Sequence, residues 1–421
     1  MSEPSKGFTQ RQATVYVAVL GALVALNFMD RQLLAVAAAP VQQEFKLSDT
    51  ALGLLTGTAF AVVFSAASLP VSWIADRVSR VGVLAVSSTL WALCTVAMGL
   101  VTGYQQLIVT RMSLALSESG AMPCAQSLIA DYVPQESRGR AMAVFAMGIT
   151  FGFMVGAILG GVLTDKYGWR NMFFIMGGFS LAVALLGAVT LPEPVRGQHA
   201  LAGQAEGAIA GQGFRALLSK PTFQNMLIAT CFSSIVASGE AAWFFVFVPR
   251  IFHWTTGQAA AVFGSIFALV GLAGTWMGGR WNDRLFKQDV RWPLWITATA
   301  LALLVPGMLA GFFAPVVGFL YVTTSVNAFA RTVTFAPALS TIQVLAPEGA
   351  RARTAASFGA VGSLVGIGLG PLMVGMVSDA LAPAMGDDSL RVGLGVLVVP
   401  QLLAAYFMWR ASRTIGADIP K

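Results

Sequence analysis

The sequence has very few charged residues for its length. Asp, Glu, Lys and Arg together make up 11% of its 421 residues, whereas hydrophobic residues make up 56%. In soluble globular domains, charged residues account for about a quarter of the chain. This shortage of charge excludes an ordinary soluble domain, and it makes each charge inside an apolar stretch informative.

Histidine and cysteine are also scarce, which limits the chemistry available. Of the two histidines, His199 lies in a polar linker and His253 in a loop, so no histidine pair supports metal binding or acyl transfer. Cys94, Cys124 and Cys231 all lie inside apolar runs, which predicts buried free thiols rather than disulfides. No P-loop pattern for ATP binding occurs. We therefore expect no metal, no cofactor and no enzymatic activity.

Long apolar runs are abundant. A helix that crosses a lipid bilayer needs about 20 mostly apolar residues, whereas a membrane strand needs only about 10. Twelve stretches of helical length are present, called spans 1 to 12 here: residues 14–39, 51–74, 81–102, 105–131, 140–164, 171–191, 223–248, 258–278, 293–311, 316–345, 354–378 and 390–410. We predict an all-α polytopic membrane protein with twelve transmembrane helices.

The distribution of positive charge predicts the orientation. With both termini in the cytoplasm, the cytoplasmic segments contain 18 Lys and Arg residues and the opposite side contains five. Positive residues concentrate in cytoplasmic loops of membrane proteins. We therefore expect a multi-pass protein of the cell (inner) membrane with both termini cytoplasmic. The net charge of +7 is then explained by loop anchors, so no nucleic-acid partner is expected.

The two halves of the chain repeat each other. Asp76-Arg77 follows span 2 and Asp283-Arg284 follows span 8, at an offset of 207 residues. Pro134-x3-Arg138-x-Arg140 and Pro347-x3-Arg351-x-Arg353 recur at an offset of 213 residues. Because each copy holds six spans, both copies enter the membrane in the same direction, as in transporters that bind their ligand between two parallel repeats.

The repeat also predicts the domains. Residues 1–191 form an N-terminal six-helix bundle, residues 192–222 form a Gly-rich cytoplasmic linker, and residues 223–421 form a C-terminal six-helix bundle.

Six ionisable residues lie inside the predicted spans, where a charge costs a few kcal/mol. They are Asp30 and Arg31 in span 1, Arg111 and Glu118 in span 4, Glu240 in span 7 and Arg331 in span 10. Glu240 lies 210 residues after Asp30, and Arg331 lies 213 residues after Glu118. The repeat therefore places an acid in spans 1 and 7 but opposite charges in spans 4 and 10, which predicts a polarised central cavity.

These six residues are candidates for coupling and binding. A buried carboxylate can exchange a proton for an arginine as its surroundings change, so the proton-coupling candidates are Glu118, then Asp30, and Glu240. Arginine keeps its proton, so the candidates for pairing with charges or holding a substrate anion are Arg31, Arg111 and Arg331. Fixed ion pairs that only hold helices together remain the alternative.

Two further groups complete the candidate site. The residues expected to line the cavity are Asn27, Trp243, Phe244, Phe247 and Asn327, although lipid-facing packing and interhelical hydrogen bonds would also account for them. The residues expected to form a cytoplasmic gate are Asp76, Arg77, Arg80, Asp283, Arg284, Arg138 and Arg351. Acids and arginines at helix ends can form and release ion pairs, but they can also be static anchors.

Several of these motifs resemble a known superfamily. Ser72-x3-Asp76-Arg77-x-Ser79-Arg80 resembles the G-x-x-x-D-R-x-G-R signature between spans 2 and 3 of the major facilitator superfamily, with serine at both glycine positions. Gly152-x3-Gly156-Ala157-x2-Gly160-Gly161 resembles the span-5 motif of its antiporters, and Gly366-x3-Gly370-Pro371 resembles the same motif in span 11. The resemblance covers residues 14–410.

Within the superfamily, four stretches resemble the spinster (sphingolipid/lysolipid transporter-like) family. They are Asn27-Phe28-Met29-Asp30-Arg31, Arg111-x6-Glu118, Tyr167-Gly168-Trp169-Arg170 and Glu193-Pro194-x-Arg196-Gly197. The first two also resemble organic-anion:proton symporters. The resemblance implies a major facilitator fold and a proton-coupled secondary transporter that moves an amphipathic lipid-like or organic anion by alternating access.

Two other functions stay open, namely a proton symporter for small carboxylates or sugar acids and a non-transporting membrane sensor. The expected partners are the lipid bilayer, a small-molecule substrate and protons, and the expected state is a monomer.

Overall fold

A computed structural model describes residues 8–197, 217–346 and 351–418. Within these ranges the chain forms helices joined by short loops, and it contains no strand. Most of the predicted linker (residues 198–216) and Pro347 of the repeated loop motif lie outside the described residues.

The helices follow the predicted spans closely. In the first half of the sequence their bounds are Gln10–Val36, Ala38–Phe45, Asp49–Ala75 with a π-helical turn at Leu54–Thr58, Arg80–Met98, Tyr104–Glu118, Ala121–Tyr132, Gln135–Tyr167 and Trp169–Thr190. In the second half they are Pro221–Phe252, Thr256–Leu285, Trp292–Phe312, Val317–Val333, Phe335–Leu345, Arg351–Met385, Ser389–Gly395 and Val398–Asp418.

Spans 4 and 10 differ from the prediction of continuous helices. Among the described residues, nine helical segments are long and apolar enough to cross a membrane; the last of them, Ser357–Asp418, contains most of span 11 and all of span 12. Span 4 is divided at Ser119 and Gly120, and span 10 is divided at Thr334. Thr334 lies 215 residues after Ser119, so the division follows the sequence repeat.

The chain folds as two compact units. The first unit comprises Met1–Ala37 and Val62–Gln204, and the second comprises Ala38–Ala61 and Ala205–Lys421, each as far as the structure describes it. The segment Ala38–Ala61 comes from the first half of the sequence but packs within the second unit. The domain boundaries drawn from the repeat alone stay a prediction.

Glycines bring the same pair of helices into close contact in each unit. In the first unit, a Cβ added to Gly152 of span 5 would lie 2.8 Å from the backbone carbon of Ala25 in span 1. In the second unit, a Cβ added to Gly366 of span 11 would lie 2.6 Å from the backbone carbon of Ser234 in span 7. Small residues allow such backbone approach in membranes. Spans 1 and 7, which carry candidate acids, are therefore held by equivalent contacts.

Candidate functional site

Arg31 and Glu118 form a buried ion pair in the first unit. Arg31 Nε donates to Glu118 Oε2 at 2.7 Å; the Glu118 side chain is fully buried and that of Arg31 is 16% exposed. The guanidinium lies 4.9 Å from the ring centre of Phe28 and 5.0 Å from that of Phe64, within range for cation–π attraction. Among the described residues, Glu118 Oε1 accepts no hydrogen bond. One oxygen of the carboxylate therefore holds the arginine, and the other remains open to a proton or a donor.

Asp30 is buried in the same unit, beside two hydroxyl groups. The hydroxyls of Thr95 and Ser180 lie 3.2 and 3.3 Å from its carboxylate oxygens, and the residue is only 2% exposed. Arg111 is also buried in this unit, at 6% exposure. The first unit thus contains two of the predicted acids and two of the predicted arginines, whose formal charges balance.

Asn27 lies near Glu118 but does not reach hydrogen-bond geometry with it. Both polar atoms of its side-chain amide are buried and have no hydrogen-bond partner among the described residues. The amide therefore leaves its hydrogen-bonding capacity unused close to the ion pair.

Glu240 and Arg331 form the corresponding ion pair of the second unit. Arg331 Nη2 donates to Glu240 Oε2, and each side chain is 19% exposed. Glu240 lies in span 7 and Arg331 in span 10, which are the repeat counterparts of spans 1 and 4. The same two helices of each copy are therefore joined by an ion pair, but the acid and the arginine have exchanged helices.

A cavity of about 60 Å³ lies beside this second pair. Its lining includes Phe244, Phe247, Phe263, Phe267, Phe312, Thr323, Thr324 and Asn327 as well as the ion pair. Three of the predicted lining residues, Phe244, Phe247 and Asn327, are thus at the cavity.

Trp243 is not among the lining residues; it is 1% exposed, and its indole N–H donates to the carbonyl oxygen of Pro371 at 2.9 Å. Burial of this donor against the backbone explains why Trp243 packs in the core.

Of the predicted gate residues, Arg80 has the most extensive contacts. Its Nη1 lies 2.5 Å from Asp131 Oδ2, and its Nε donates to Glu193 Oε1 at 3.1 Å. Glu193 Oε2 also accepts from the Ser79 hydroxyl at 2.6 Å and from the Val81 N–H at 2.8 Å. Burial alone would raise the pKa of Glu193, but these hydrogen bonds outweigh it and leave the pKa below its ordinary value. Glu193 thereby caps the first turn of span 3.

The other predicted gate residues have fewer contacts. Asp76 is exposed, and no hydrogen bond reaches its carboxylate among the described residues; its carbonyl oxygen instead accepts from Arg196. Arg77 stacks on Trp73, with its guanidinium carbon 3.3 Å from the ring centre. Arg138 donates to the carbonyl oxygen of Ala130 at 2.8 Å. Asp283 and Arg284 are exposed, and the side chain of Arg351 lies outside the described residues. The gating role of these residues stays a prediction.

Sequence reasoning did not identify the contacts of Asp131, Glu193 and Arg196. Glu193 and Arg196 do occur in a stretch that resembles the spinster family, and that resemblance could have marked both residues as candidates.

The second unit contains a polar network that was not predicted at all. Asp49 accepts two hydrogen bonds from Arg250, at 2.7 and 2.8 Å, and one each from Ser378 and Gln42, both at 2.5 Å. Gln42 Oε1 in turn accepts from Arg250 Nη2 at 2.7 Å. The network holds the segment Ala38–Ala61 to helices from the second half of the sequence.

Asp379 adds a helix cap to this network. Its two carboxylate oxygens accept from the backbone N–H groups of Asp49 and Thr50, at 2.8 and 2.7 Å. The first N–H groups of a helix have no partner inside the helix, so a carboxylate at this position satisfies them. Asp379 therefore stabilises the start of the helix Asp49–Ala75.

The fold and the site together define a class of protein. The chain is a multi-pass helical membrane protein with two related halves, and each half joins equivalent helices through a buried ion pair. Buried charges in a membrane mark pathways for substrates or ions. This arrangement is that of a membrane transporter.

The chain belongs to the Major Facilitator Superfamily, whose family profile matches residues 20–371. It is 32% identical over 411 residues to an MFS-type efflux pump of Mycolicibacterium smegmatis, which covers 97% of this chain and 95% of the relative. It is 26% identical over 299 residues to a probable galactarate/D-glucarate transporter of Bacillus subtilis, which covers 65% of each chain.

A solved structure shows the same fold. The crystal structure of a bacterial homologue of the human lysosomal transporter Spinster, in an inward-facing and unoccupied conformation, matches with a TM-score of 0.89 at 26% identity, covering 98% of this chain and all of the other. These comparisons confirm the predicted superfamily, the spinster-like resemblance and the helical major facilitator fold. They also confirm that the protein is a transporter of small molecules and not an enzyme.

Proposed function

We propose that this protein is a proton-coupled secondary transporter of the cell membrane. It moves an amphipathic lipid-like or organic anion through its central cavity by alternating access. The observation that carries the proposal is the buried Arg31–Glu118 pair. One carboxylate oxygen of Glu118 holds the guanidinium, and the other has no hydrogen-bond partner among the described residues. Such a carboxylate can receive a proton without first losing another contact.

Protonation of Glu118 would couple proton binding to anion binding. The formal charges of the two acids and two arginines described above balance, so an added proton leaves this group with an excess positive charge. A buried cation that has lost its partner is costly, and this cost is relieved when an anion binds. Arg31 would then hold the anionic group that Glu118 has released. Proton and anion therefore favour each other's binding, which is the requirement for coupled movement.

An apolar groove supports an amphipathic substrate. The first unit contains a groove of about 560 Å³, lined by residues that include Leu90, Cys94, Leu116 and Ser117. Leu116 and Ser117 directly precede Glu118 in the chain. Neither residue of the ion pair lines the groove, so the proposal is that an apolar chain attached to the anionic head extends from the ion pair to this other face of span 4. Burial of each methylene is favourable by about 0.8 kcal/mol, so the length of this chain would matter for affinity.

A small acid without an apolar chain is the second candidate substrate. The relative from Bacillus subtilis is named a probable galactarate/D-glucarate transporter, and its similarity covers 65% of this chain. Such a substrate would use the ion pair but not the groove. The two candidates therefore differ in whether transport depends on an alkyl chain.

Flux into proteoliposomes under an imposed pH gradient tests the proposal. The probes are radiolabelled decanesulfonate, whose permanent charge prevents it from crossing the bilayer as a neutral acid, and radiolabelled galactarate. We expect gradient-driven movement of decanesulfonate by the wild type. Glu118→Gln should lose this gradient dependence but keep measurable binding, because a neutral amide cannot exchange a proton.

Glu136→Gln is the matched control, since it makes the same chemical change at an exposed position. Movement of galactarate alone would favour the small-acid function, and no flux of either probe would refute both proposed substrate classes. If Glu118→Gln moved decanesulfonate with wild-type pH dependence, the coupling proton would bind elsewhere, and Asp30 would be the next candidate.

A further inference from the structure

Proton uptake by Glu118 removes the negative charge with which Arg31 is paired. Glu118 accepts from Arg31 Nε at 2.7 Å, and the two side chains are 0% and 16% exposed. Asp30 of span 1, Cys94 of span 3 and Arg111 of span 4 also interact electrostatically with this carboxylate. Arg111 is itself positive and repels Arg31. When Glu118 is neutral and no anion is bound, the guanidinium of Arg31 therefore needs another source of negative potential.

The neighbouring acid, Asp30, is directed elsewhere. Adjacent residues of a helix point about 100° apart, so Asp30 and Arg31 lie on different faces of span 1. The Asp30 carboxylate lies 3.2 and 3.3 Å from the hydroxyls of Thr95 and Ser180. It is therefore not placed to take over the role of Glu118.

Two aromatic rings supply negative potential at Arg31. Its guanidinium carbon lies over the ring of Phe28 in the same helix, 4.9 Å from the ring centre, and over the ring of Phe64 in span 2, 5.0 Å from the ring centre. Phe28 precedes Arg31 by three residues, so both side chains lie on one face of span 1. The face of an aromatic ring is negative and attracts a cation, more strongly where water is excluded. Because Arg31 is only 16% exposed, little water screens this attraction.

The rings favour the protonated state of the pair. In the ion-paired state, the carboxylate of Glu118 offsets the charge of Arg31, and the ring potential that attracts the guanidinium opposes the nearby carboxylate. Once Glu118 is protonated, the charge of the guanidinium is no longer offset, and its attraction to both rings is stronger. This difference between the two states lowers the cost of proton uptake before an anion arrives.

The corresponding pair of the second unit lacks this support. Arg331 donates to Glu240, and each side chain is 19% exposed. Phenylalanines line the adjacent cavity, but no ring of the described residues lies over the Arg331 guanidinium within the range of cation–π attraction. The two pairs are equivalent by the sequence repeat, yet they differ in what holds the arginine when the acid is neutral.

We propose that the rings of Phe28 and Phe64 hold the Arg31 guanidinium while the acid of this pair is protonated. They are positioning residues for proton uptake, and the lack of such rings in the second unit keeps the Glu240–Arg331 pair closed. The inference rests on the proposed function, because it concerns the proton of the same site, but its test needs neither a substrate nor a gradient.

Infrared difference spectroscopy of the purified protein during acid titration tests this role. A protonated carboxyl group has a C=O stretching band that a carboxylate lacks, and the band of Glu118 is identified by its loss in Glu118→Gln. Replacement of Phe64 by pentafluorophenylalanine nearly preserves the size of the ring but reverses the potential at its face. We expect the midpoint pH of the Glu118 band to fall by about 0.5–1 unit, equivalent to about 0.7–1.4 kcal/mol. Phe64→Leu removes the ring and should shift the midpoint in the same direction.

Pentafluorophenylalanine at Phe179, an exposed position of the same unit, is the matched control and should leave the midpoint at its wild-type value. Glu240→Gln should leave every titrating band in place, because Glu240 stays ionised in its closed pair. Loss of a titrating band in this variant would overturn the assignment of the opening pair to the first unit.

An unchanged midpoint in both Phe64 variants would overturn the role of the rings, as would a wild type in which no titrating band belongs to Glu118. A shifted midpoint in a protein that shows no gradient-driven flux would refute proton coupling but not this role. Flux with an unchanged midpoint would do the reverse, so the two proposals can fail separately.

Discussion

The ion pair between Asp49 and Arg250 is expected to be a major contributor to the stability of the second unit. The guanidinium binds both carboxylate oxygens, and the side chains are only 7% and 19% exposed. Exposed pairs contribute about 0–1 kcal/mol, whereas breaking a buried pair costs about 3–5 kcal/mol. Because 19% of the Arg250 side chain remains exposed, we expect Asp49→Asn to lower the free energy of unfolding by about 2–3 kcal/mol, at the lower end of the range for breaking a buried pair.

Thermal unfolding followed by tryptophan fluorescence measures this cost. For a unit of this size, each kcal/mol lowers the melting temperature by about 2–4 °C, so Asp49→Asn should melt about 4–12 °C below the wild type. Arg250→Gln should show a similar loss. The double variant should melt close to the worse single variant, because residues in one network couple by about 0.5–3 kcal/mol. Asp387→Asn changes an exposed acid of the same unit and should have little effect.

Two outcomes would refute this reasoning. Additive losses in the double variant would mean that Asp49 and Arg250 do not stabilise each other. A melting temperature of Asp49→Asn equal to that of the Asp387→Asn control would mean that Gln42 and Ser378 maintain the network without the charge.

Two further predictions concern the first unit. Gly152→Ala should lower the melting temperature because its Cβ would lie 2.8 Å from the carbonyl carbon of Ala25. Gly178→Ala, with nothing within 4 Å, should be neutral or stabilising, and equal effects of the two substitutions would refute the close helix contact. The second prediction concerns Glu193, whose pKa in the folded protein lies below the ordinary value of about 4.3. Such a carboxyl group stabilises the fold at pH values above its ordinary pKa, and this stabilisation is lost as the pH falls through the lower, folded-state pKa. Melting temperatures measured from pH 7 to pH 3 should therefore fall less steeply for Glu193→Gln than for the wild type and Glu136→Gln, and identical slopes would contradict this role of Glu193.

The helices and the repeat could be predicted because they depend on composition over long windows. Apolar runs of about 20 residues predict spans wherever they occur. The six charges inside the spans could be predicted equally well, because a charge inside such a run is rare. Their partners could not be predicted as well. The sequence did not settle which arginine pairs with which of the two acids, Asp30 and Glu118. The pairing depends on how spans 1 and 4 are rotated about their axes, and no local pattern encodes that rotation.

Charges near the ends of spans could not be interpreted from sequence. Asp49 begins a helix next to a loop, where an acid is ordinary, and its main partner Arg250 lies 201 residues away in the chain. Glu193 lies just beyond span 6, where an acid is equally ordinary. Because acids are common at both positions, neither residue stood out in the sequence. The networks of Asp49 and Glu193 are visible only in the three-dimensional structure.

The position of the two intramembrane ion pairs explains how the repeat could reverse their charges. Glu118 is the last residue of the helix Tyr104–Glu118 and lies just before the next helix begins at Ala121, while Arg331 lies in the last turn of Val317–Val333. A helix N-terminus favours a negative charge, and a helix C-terminus favours a positive one. A break in a span offers both kinds of terminus at one place. In span 4 the following N-terminus can offset the unfavourable effect of the preceding C-terminus on the acid. In span 10 the preceding C-terminus stabilises the arginine, and the partner on span 1 or span 7 supplies the opposite charge in each case.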